Sequence, residues 1–241
     1  KVAEAKAFYE SLTPEELQKF TTGLIDNFPG FKGVTLEDVR AMLKKYEHLT
    51  RADLEANLKH FLSEVCPVAE EAGCIMVIHP DDPPYSILGL PRIFSDINDV
   101  KNLLKMVDSP ANGVCFCAGS FSGRLDNDIV EMFKACADRV GFVHLRSTQH
   151  DGKGNFFEAN HLEGVVDMYG LVKAIIEEQV RRKKAGRADW RLPFRPDHGH
   201  TMLDDLAKPP CPNPGYTAIG RLKGLAEIRG LEHGILKSMN L

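Results

Sequence analysis

The sequence predicts a parallel α/β fold of the TIM (β/α)-barrel class. Between residues 74 and 227, short apolar segments alternate with polar loops and helical patterns. Polar side chains follow the end of each apolar segment, and a (β/α) barrel places its active site at the corresponding end of its strands. Residues 1–73 carry helical patterns alone. We therefore expect one domain over residues 1–241, with a helical part at 1–73 and strand/helix units at 74–241.

Helix-start signals divide the first part of the chain. Pro14 follows a Ser-Leu-Thr segment, and Thr35 precedes a helical pattern that runs to about Tyr46. A capping residue followed by proline or acidic residues is typical of a helix N-terminus. We predict two helices over residues 2–28, a turn at 28–33, and two further helices that begin near Thr35 and Thr50.

Four apolar runs are too short for helices and are bounded by glycine, proline or polar residues, which favours buried strands. These runs are residues 74–78, 113–117, 141–146 and 191–195, and the helices that we predict between and after them are 97–107, 128–139, 165–184 and 218–227. The polar stretch 147–164 has no obvious structure, which is typical of a functional lid. A complete barrel has eight strands, so we expect the leading strands to lie upstream of residue 1.

Composition excludes several classes of protein. The chain has 241 residues, a net charge of -4 and no apolar run long enough to span a membrane. We expect neither nucleic acid nor a membrane as partner, and a cytoplasmic location. The six cysteines are not spaced as a disulfide framework, so we expect reduced thiols.

The residues at the four strand ends form a candidate metal site. Imidazole, thiolate and carboxylate groups together favour iron(II), manganese, cobalt or zinc over calcium and magnesium, which prefer oxygen ligands. Each of these residues alone is more often structural, and a polar rim without metal is the competing interpretation. The candidate ligands are His79, Cys117, His144 and Asp197. Cys115 faces the same side as Cys117 but lies further from the strand end, so we expect Cys115 to fill the core.

Further groups surround these candidates. His198 follows Asp197 directly and is a candidate general acid or base, since imidazole titrates near neutral pH. Tyr216 is a second candidate for proton transfer, with an ordinary packing role as the alternative. Candidate carboxylate-binding cations for a substrate are Arg146, Arg195 and Lys223.

Several motifs carry a resemblance that spans nearly the whole chain from about residue 50. The motifs, which follow one another in family order, are HPDDPP at 79–84, CAGS at 117–120, HLR at 144–146, HLEG at 161–164, RPDHGH at 195–200, PGY at 214–216 and GRLKGLAE at 220–227. The sequence resembles the mannonate dehydratases of hexuronate breakdown. The opening strands of that family have no counterpart here.

The resemblance implies a xylose-isomerase-like barrel that converts D-mannonate to 2-keto-3-deoxy-D-gluconate and water. It implies Mn²⁺ or Fe²⁺ on His79, Cys117, His144 and Asp197, with His198 and Tyr216 as proton-transfer groups whose individual roles stay open. We expect a small sugar acid as substrate and a homodimer as the assembly. The alternatives are a metal-dependent sugar isomerase on a similar barrel, whose sites rely more on carboxylates, and a metal-free binding protein.

Overall fold

The computed structural model describes residues 2–26, 33–209 and 215–241. Its first part is helical, as predicted, and comprises α1 (Val2–Ser11), α2 (Pro14–Asp26), α3 (Leu36–Tyr46) and α4 (Arg51–Glu71). The predicted turn at 28–33 lies outside the described residues except for Gly33, and so does Cys211. Within the described ranges, no helix is both long and apolar enough to cross a membrane.

Capping boxes begin α3 and α4. The side chain of Thr35 accepts a hydrogen bond from the backbone of Asp38, and the carboxylate of Asp38 accepts one from the backbone of Thr35. Thr50 and Asp53 form the same reciprocal pair at the start of α4. Each box satisfies backbone donors that a helix start leaves without partners, which confirms both predicted start points.

A four-stranded parallel sheet forms the centre of the fold. Its strands are β1 (Met76–Ile78), β2 (Asn112–Cys117), β3 (Val140–His144) and β6 (Phe194–Arg195), in the spatial order β1-β2-β3-β6. Each strand is one of the predicted apolar runs. Cys117 pairs in register with His144, and His144 pairs with Arg195. The carboxyl ends of the strands therefore meet at one edge of the sheet.

Helices between and after the strands build the core of this TIM-barrel-like α/β fold. They are α5 (Ile97–Met106), α7 (Ile129–Cys136), α8 (Met168–Lys184) and α9 (Ala218–Ser238). Phe116 from the sheet packs with Phe133 from α7, with ring centroids 5.3 Å apart. Leu171 of α8 and Ile228 of α9 are fully buried in the same cluster. Each large apolar side chain buried in this way stabilises the fold by roughly 1.5–3 kcal/mol.

The stretch 147–164 differs from the prediction of an irregular lid. It contains an antiparallel hairpin of β4 (Thr148–His150) and β5 (Phe156–Glu158). Gly152 and Gly154 at its tip take positive φ values of 73° and 96°, which let the chain reverse within a polar segment. Because the strands have only three residues each, their alternation is too short to stand out in the sequence.

The last helix is also longer than predicted. Helix α9 continues past Glu227 and Gly230 to Ser238. Glycine costs a helix interior about 1 kcal/mol, which predicts an end near Gly230. Ile228 and Ile235 lie on both sides of Gly230 and are buried in the core, and their burial offsets that cost. A short helix that the sequence did not predict, α6 (Ala118–Ser122), follows β2 directly.

Candidate metal centre

The four strand ends bring their polar residues to one place. Cys117 and His144 are the last residues of β2 and β3, His79 follows β1, and Asp197 lies two residues beyond β6. The Nε2 atom of His79 lies 3.2 Å from Nδ1 of His144. That Nδ1 atom lies 3.4 Å from Oδ2 of Asp197. The donor atoms of Cys117, His144 and Asp197 all lie within 4.8 Å of one another.

Hydrogen bonding orients the His79 ring. Its Nδ1 atom lies 2.8 Å from the carbonyl oxygen of Pro80. Because a carbonyl oxygen only accepts a hydrogen bond, Nδ1 carries the proton. In the neutral ring the lone pair then lies on Nε2, the atom nearest to His144. A backbone partner on the second ring nitrogen is the usual way in which proteins orient a metal-binding histidine.

The two thiols of β2 have opposite electrostatic environments. Burial alone raises the pKa of Cys117, but interactions with His144, His79 and Arg146 lower it to about 6. Burial raises the pKa of Cys115 to about 12, and the nearby negative charges of Cys117 and Asp197 add to this rise. Cys117 is therefore a thiolate at neutral pH and Cys115 a thiol. Thiolates bind metals, whereas thiols do not.

The donor set fits a divalent transition metal. Nitrogen, sulfur and oxygen ligands lie about 2.0–2.3 Å from an ion such as zinc, so two ligands of one ion are at most about 4.6 Å apart. The separations of 3.2 and 3.4 Å among His79, His144 and Asp197 meet this condition. Cys115 also lies within 4.8 Å of His79 and His144, with its Sγ 3.9 Å from Nε2 of His144. Its protonated state makes Cys115 the weaker ligand of the two cysteines.

Asp197 is held in an uncommon backbone conformation. Its φ of 64° lies in the left-handed region, which residues other than glycine rarely adopt. Its carboxylate is buried and accepts a hydrogen bond of 2.7 Å from Nη2 of Arg195. Burial would raise the pKa of Asp197, but its interactions with His144, His198 and Arg195 lower it. Asp197 is therefore an ionised candidate ligand at the edge of the donor cluster.

His198 and Tyr216 meet beside the donor cluster. The Nε2 atom of His198 lies 3.0 Å from the phenolic oxygen of Tyr216 and 3.5 Å from Oδ2 of Asp197. Its other nitrogen, Nδ1, lies 2.8 Å from Oε2 of Glu158. Burial raises the pKa of Tyr216, so the phenol keeps its proton at neutral pH. The two candidate proton-transfer groups therefore adjoin the candidate ligands.

Arg146 lies behind the donors in a charged cluster. Its Nη1 donates to Oδ2 of Asp82 over 2.9 Å, and its Nε lies 3.2 Å from Oε2 of Glu158. Burial alone would lower the pKa of Arg146, but the charges of Cys117, Glu158 and Asp82 raise it above its ordinary value. The hydroxyl oxygen of Ser120 lies 3.0 Å from Oδ2 of Asp82 and 3.2 Å from the Cys117 sulfur, so its one hydrogen can be donated to either acceptor. The geometry thus gives Arg146 a charge-balancing role, and its binding of substrate stays a prediction.

The other two predicted cations lie at different distances from this cluster. Arg195 is half exposed and contacts Asp197 directly. Lys223 on α9 donates to Oδ1 of Asn160 over 3.1 Å and lies 3.5 Å from Glu227. Its contacts are therefore with the segment after the hairpin, and the structure does not bring its ammonium group into hydrogen-bond contact with the four candidate ligands.

Sequence reasoning missed three polar residues at this site: Asp82, Ser120 and Glu158. Asp82 and Ser120 lie within motifs at the first two strand ends, and this position after a strand could have identified them as site residues. Glu158 lies on the unpredicted β5, and its sequence neighbours Phe157 and Ala159 give no indication of a polar site.

A parallel α/β sheet with imidazole, thiolate and carboxylate groups at its strand ends defines a TIM-barrel-like protein with a candidate transition-metal site. The family model described as D-mannonate dehydratase (UxuA) matches residues 3–240. The chain therefore belongs to the D-mannonate dehydratase family.

Relatives and solved structures agree with this assignment. The chain is 43% identical over 232 residues to a mannonate dehydratase of Saccharophagus degradans, covering 96% of this chain and 58% of the relative. It is 44% identical over 239 residues to a mannonate dehydratase of a Marinomonas species, covering 98% of this chain and 60% of the relative. The chain thus spans about 60% of the length of these curated relatives.

Two solved structures resemble the fold. The crystal structure of mannonate dehydratase from Streptococcus suis serotype 2 has a TM-score of 0.73 and 34% identity, covering 83% of this chain and 54% of that one. A xylose isomerase domain protein from Planctomyces limnophilus has a TM-score of 0.51 and 14% identity, covering 76% of this chain and 54% of that one. The second likeness concerns the fold alone.

Proposed function

We propose that this protein is a metal-dependent dehydratase that converts D-mannonate to 2-keto-3-deoxy-D-gluconate and water in hexuronate degradation. Membership of the family supports this proposal. The observation that carries it is that His198 contacts both the candidate ligand Asp197 and Tyr216, so candidate metal ligands and candidate proton-transfer groups are neighbours. A metal that stabilises the developing anion and groups that transfer protons together suit the removal of water from a sugar acid.

The proposed metal is Mn²⁺ or Fe²⁺, held by His79, Cys117, His144 and Asp197. The short separations among His79, His144 and Asp197, 3.2 and 3.4 Å, and the lowered pKa of Cys117 support this assignment. When bound, the ion supplies positive charge that stabilises the anion developing next to the substrate carboxylate.

The proposed reaction needs one base and one acid. A base takes the proton from the carbon next to the carboxylate, and an acid protonates the hydroxyl on the following carbon, which leaves as water. The enol that remains rearranges to the 2-keto acid, so the 2-keto acid and water together contain all the atoms of D-mannonate. His198 presents Nε2 as the base, and Tyr216, whose pKa burial raises, holds the proton for the leaving hydroxyl.

Substrate binding is proposed for Arg146, Arg195 and Lys223. The half-exposed guanidinium of Arg195 adjoins Asp197 and is the most accessible of these cations to a carboxylate. The proposed partner is a small sugar acid, and neither nucleic acid nor a membrane is proposed. We further propose one domain over residues 1–241, a homodimer and a cytoplasmic location.

Elemental analysis of the purified protein, paired with an anaerobic assay on D-mannonate with added Mn²⁺ or Fe²⁺, tests the proposal. We expect about one metal ion per chain and a 2-keto-3-deoxy acid that is lighter than the substrate by one water. A product of unchanged mass would identify an isomerase instead. A folded, metal-free and inactive protein would favour a binding protein.

A further inference from the structure

Glu158 contacts both a proton-transfer group and the buried cation of the site. Its Oε2 atom lies 2.8 Å from Nδ1 of His198 and 3.2 Å from Nε of Arg146. We propose that Glu158 is the positioning residue of His198: its carboxylate fixes which ring nitrogen carries the proton and where the other nitrogen points. The expected effect on kcat rests on the proposed function, whereas the expected proton position on the His198 ring does not.

The contact with Glu158 determines the form of the His198 ring. A carboxylate oxygen accepts hydrogen bonds, so Nδ1 of His198 carries the proton that it donates to Glu158. The lone pair of the neutral ring then lies on Nε2, which faces Tyr216 at 3.0 Å. A base held by a third group in this way is a recurrent arrangement in acid–base and nucleophilic catalysis.

The hairpin holds Glu158 rigidly enough for this role. Glu158 pairs in register with Thr148 across β4 and β5. The hydroxyl of Thr148 donates to the carbonyl of Ser122 over 3.1 Å, which ties the hairpin to the end of α6. The Nε atom of Arg146, whose side chain is buried, lies 3.2 Å from the same Oε2 atom of Glu158. The hairpin therefore holds the carboxylate of Glu158 next to His198.

The backbone of His198 is held by a separate contact. Nε2 of the buried His161 lies 2.9 Å from the carbonyl oxygen of His198. The backbone amide of Gly199 donates to the carbonyl of Gly215 over 2.8 Å, which fixes the same loop. Loss of the Glu158 carboxylate is therefore expected to release the His198 ring without moving its backbone or Asp197.

Substitution of Glu158 tests this role through kinetics. We expect Glu158→Ala to lower kcat about 10–100-fold, the usual cost of removing such a supporting group, with KM changed less than about 3-fold and metal content unchanged. Glu158→Gln keeps an oxygen acceptor and should recover part of the lost kcat. The matched control is Glu163→Gln, an exposed side chain in the same stretch that contacts Asn160. A raised KM with unchanged kcat in Glu158→Ala would overturn the proposal and identify a substrate contact.

A spectroscopic readout tests the same proposal without turnover. In the full chain labelled with ¹⁵N-histidine and loaded with diamagnetic Zn²⁺, we expect His198 to carry its proton on Nδ1, with its resonance assigned by His198→Gln. In Glu158→Ala that proton should move wholly or partly to Nε2. An Nε2-protonated ring in the unsubstituted protein, or an unchanged spectrum in Glu158→Ala, would overturn the proposal. If the unsubstituted protein lacks dehydratase activity, the proposed function fails and the spectrum alone decides the role of Glu158.

Discussion

Nε2 of His198 lies 3.0 Å from the phenolic oxygen of Tyr216, although the two residues are separated by 18 positions in the chain. A parallel backbone bridge between Gly199 and Tyr216 brings the two segments together. Nε2 of His198 also lies 3.5 Å from Oδ2 of Asp197, so the candidate proton-transfer pair adjoins the candidate metal ligands. The first two predictions follow from this arrangement.

His198→Ala should abolish turnover of D-mannonate, with kcat lower by at least about 100-fold, because a positioned acid or base contributes about that much to the rate. Metal content should not change, since the four candidate ligands remain. Steady-state kinetics and elemental analysis check this result. The matched control is His200→Ala, because the exposed His200 side chain lies two residues further along the same loop. Metal loss in His198→Ala would instead make His198 a ligand or a structural residue.

Cys117→Ser should weaken metal binding by more than about 10-fold, since the substitution replaces a thiolate ligand with a hydroxyl. Cys115→Ser is the control on the same face of β2. It should retain the metal because the pKa of Cys115, raised to about 12, keeps that sulfur protonated. Titration of each variant with Mn²⁺ measures the two affinities. Equal loss in both variants would make Cys115 a ligand as well.

Gly224→Ala should destabilise the protein by about 1–3 kcal/mol, the usual cost of overpacking a core. A Cβ atom on Gly224 would clash with the ring of His161, which is itself buried. The control is Gly230→Ala on the same helix, where, apart from the chain neighbours and the adjacent helix backbone, no described heavy atom lies within 4 Å of the added Cβ. That change should stabilise the helix by about 0.5–1 kcal/mol. Urea unfolding measures the free energy of unfolding of both variants. Equal changes in the two variants would contradict the predicted contact with His161.

Glu178 on α8 should make stability depend on acid pH. Burial raises its pKa, but hydrogen bonds from Arg181 and Arg182 lower it below the ordinary value of 4.5. A carboxylate whose pKa is lowered on folding stabilises the protein fully above the unfolded value, and this stabilisation is lost as pH falls through the folded value. Stability should therefore decrease as pH falls below about 4.5.

Glu178→Gln isolates this effect. At pH 7 it should cost about 1–3 kcal/mol, because the buried Arg182 loses a charged partner. The difference from the unsubstituted protein should shrink as pH falls below about 4.5, where the carboxylate also loses its charge. Glu177→Gln, an exposed neighbour on α8, is the control. Urea unfolding between pH 7 and pH 3 measures the difference, and a constant gap across this range would contradict the assignment.

Much of the fold follows from local sequence patterns. Thr35 and Thr50 begin helices because a threonine hydroxyl and an aspartate three residues later satisfy free backbone amides. Short apolar runs become the parallel strands because only a buried strand accommodates them. The C-terminal end of α9 could not be predicted in this way, because core packing around Ile228 decides it. The hairpin could not be predicted either, because it depends on the pairing of Thr148 with Glu158.

The sequence by itself determined the order of the longer helices and the parallel strands and the residues at the strand ends, because these depend on periodicity and on chemical type along the chain. Only the tertiary structure decided which groups meet. Cys117 pairs with His144, and Glu158 contacts His198, across distant segments of the chain. The difference in pKa between Cys115 and Cys117 also depends on charged residues from other segments. Distances and charges across such contacts depend on how the strands pack, and no local pattern in the chain encodes them.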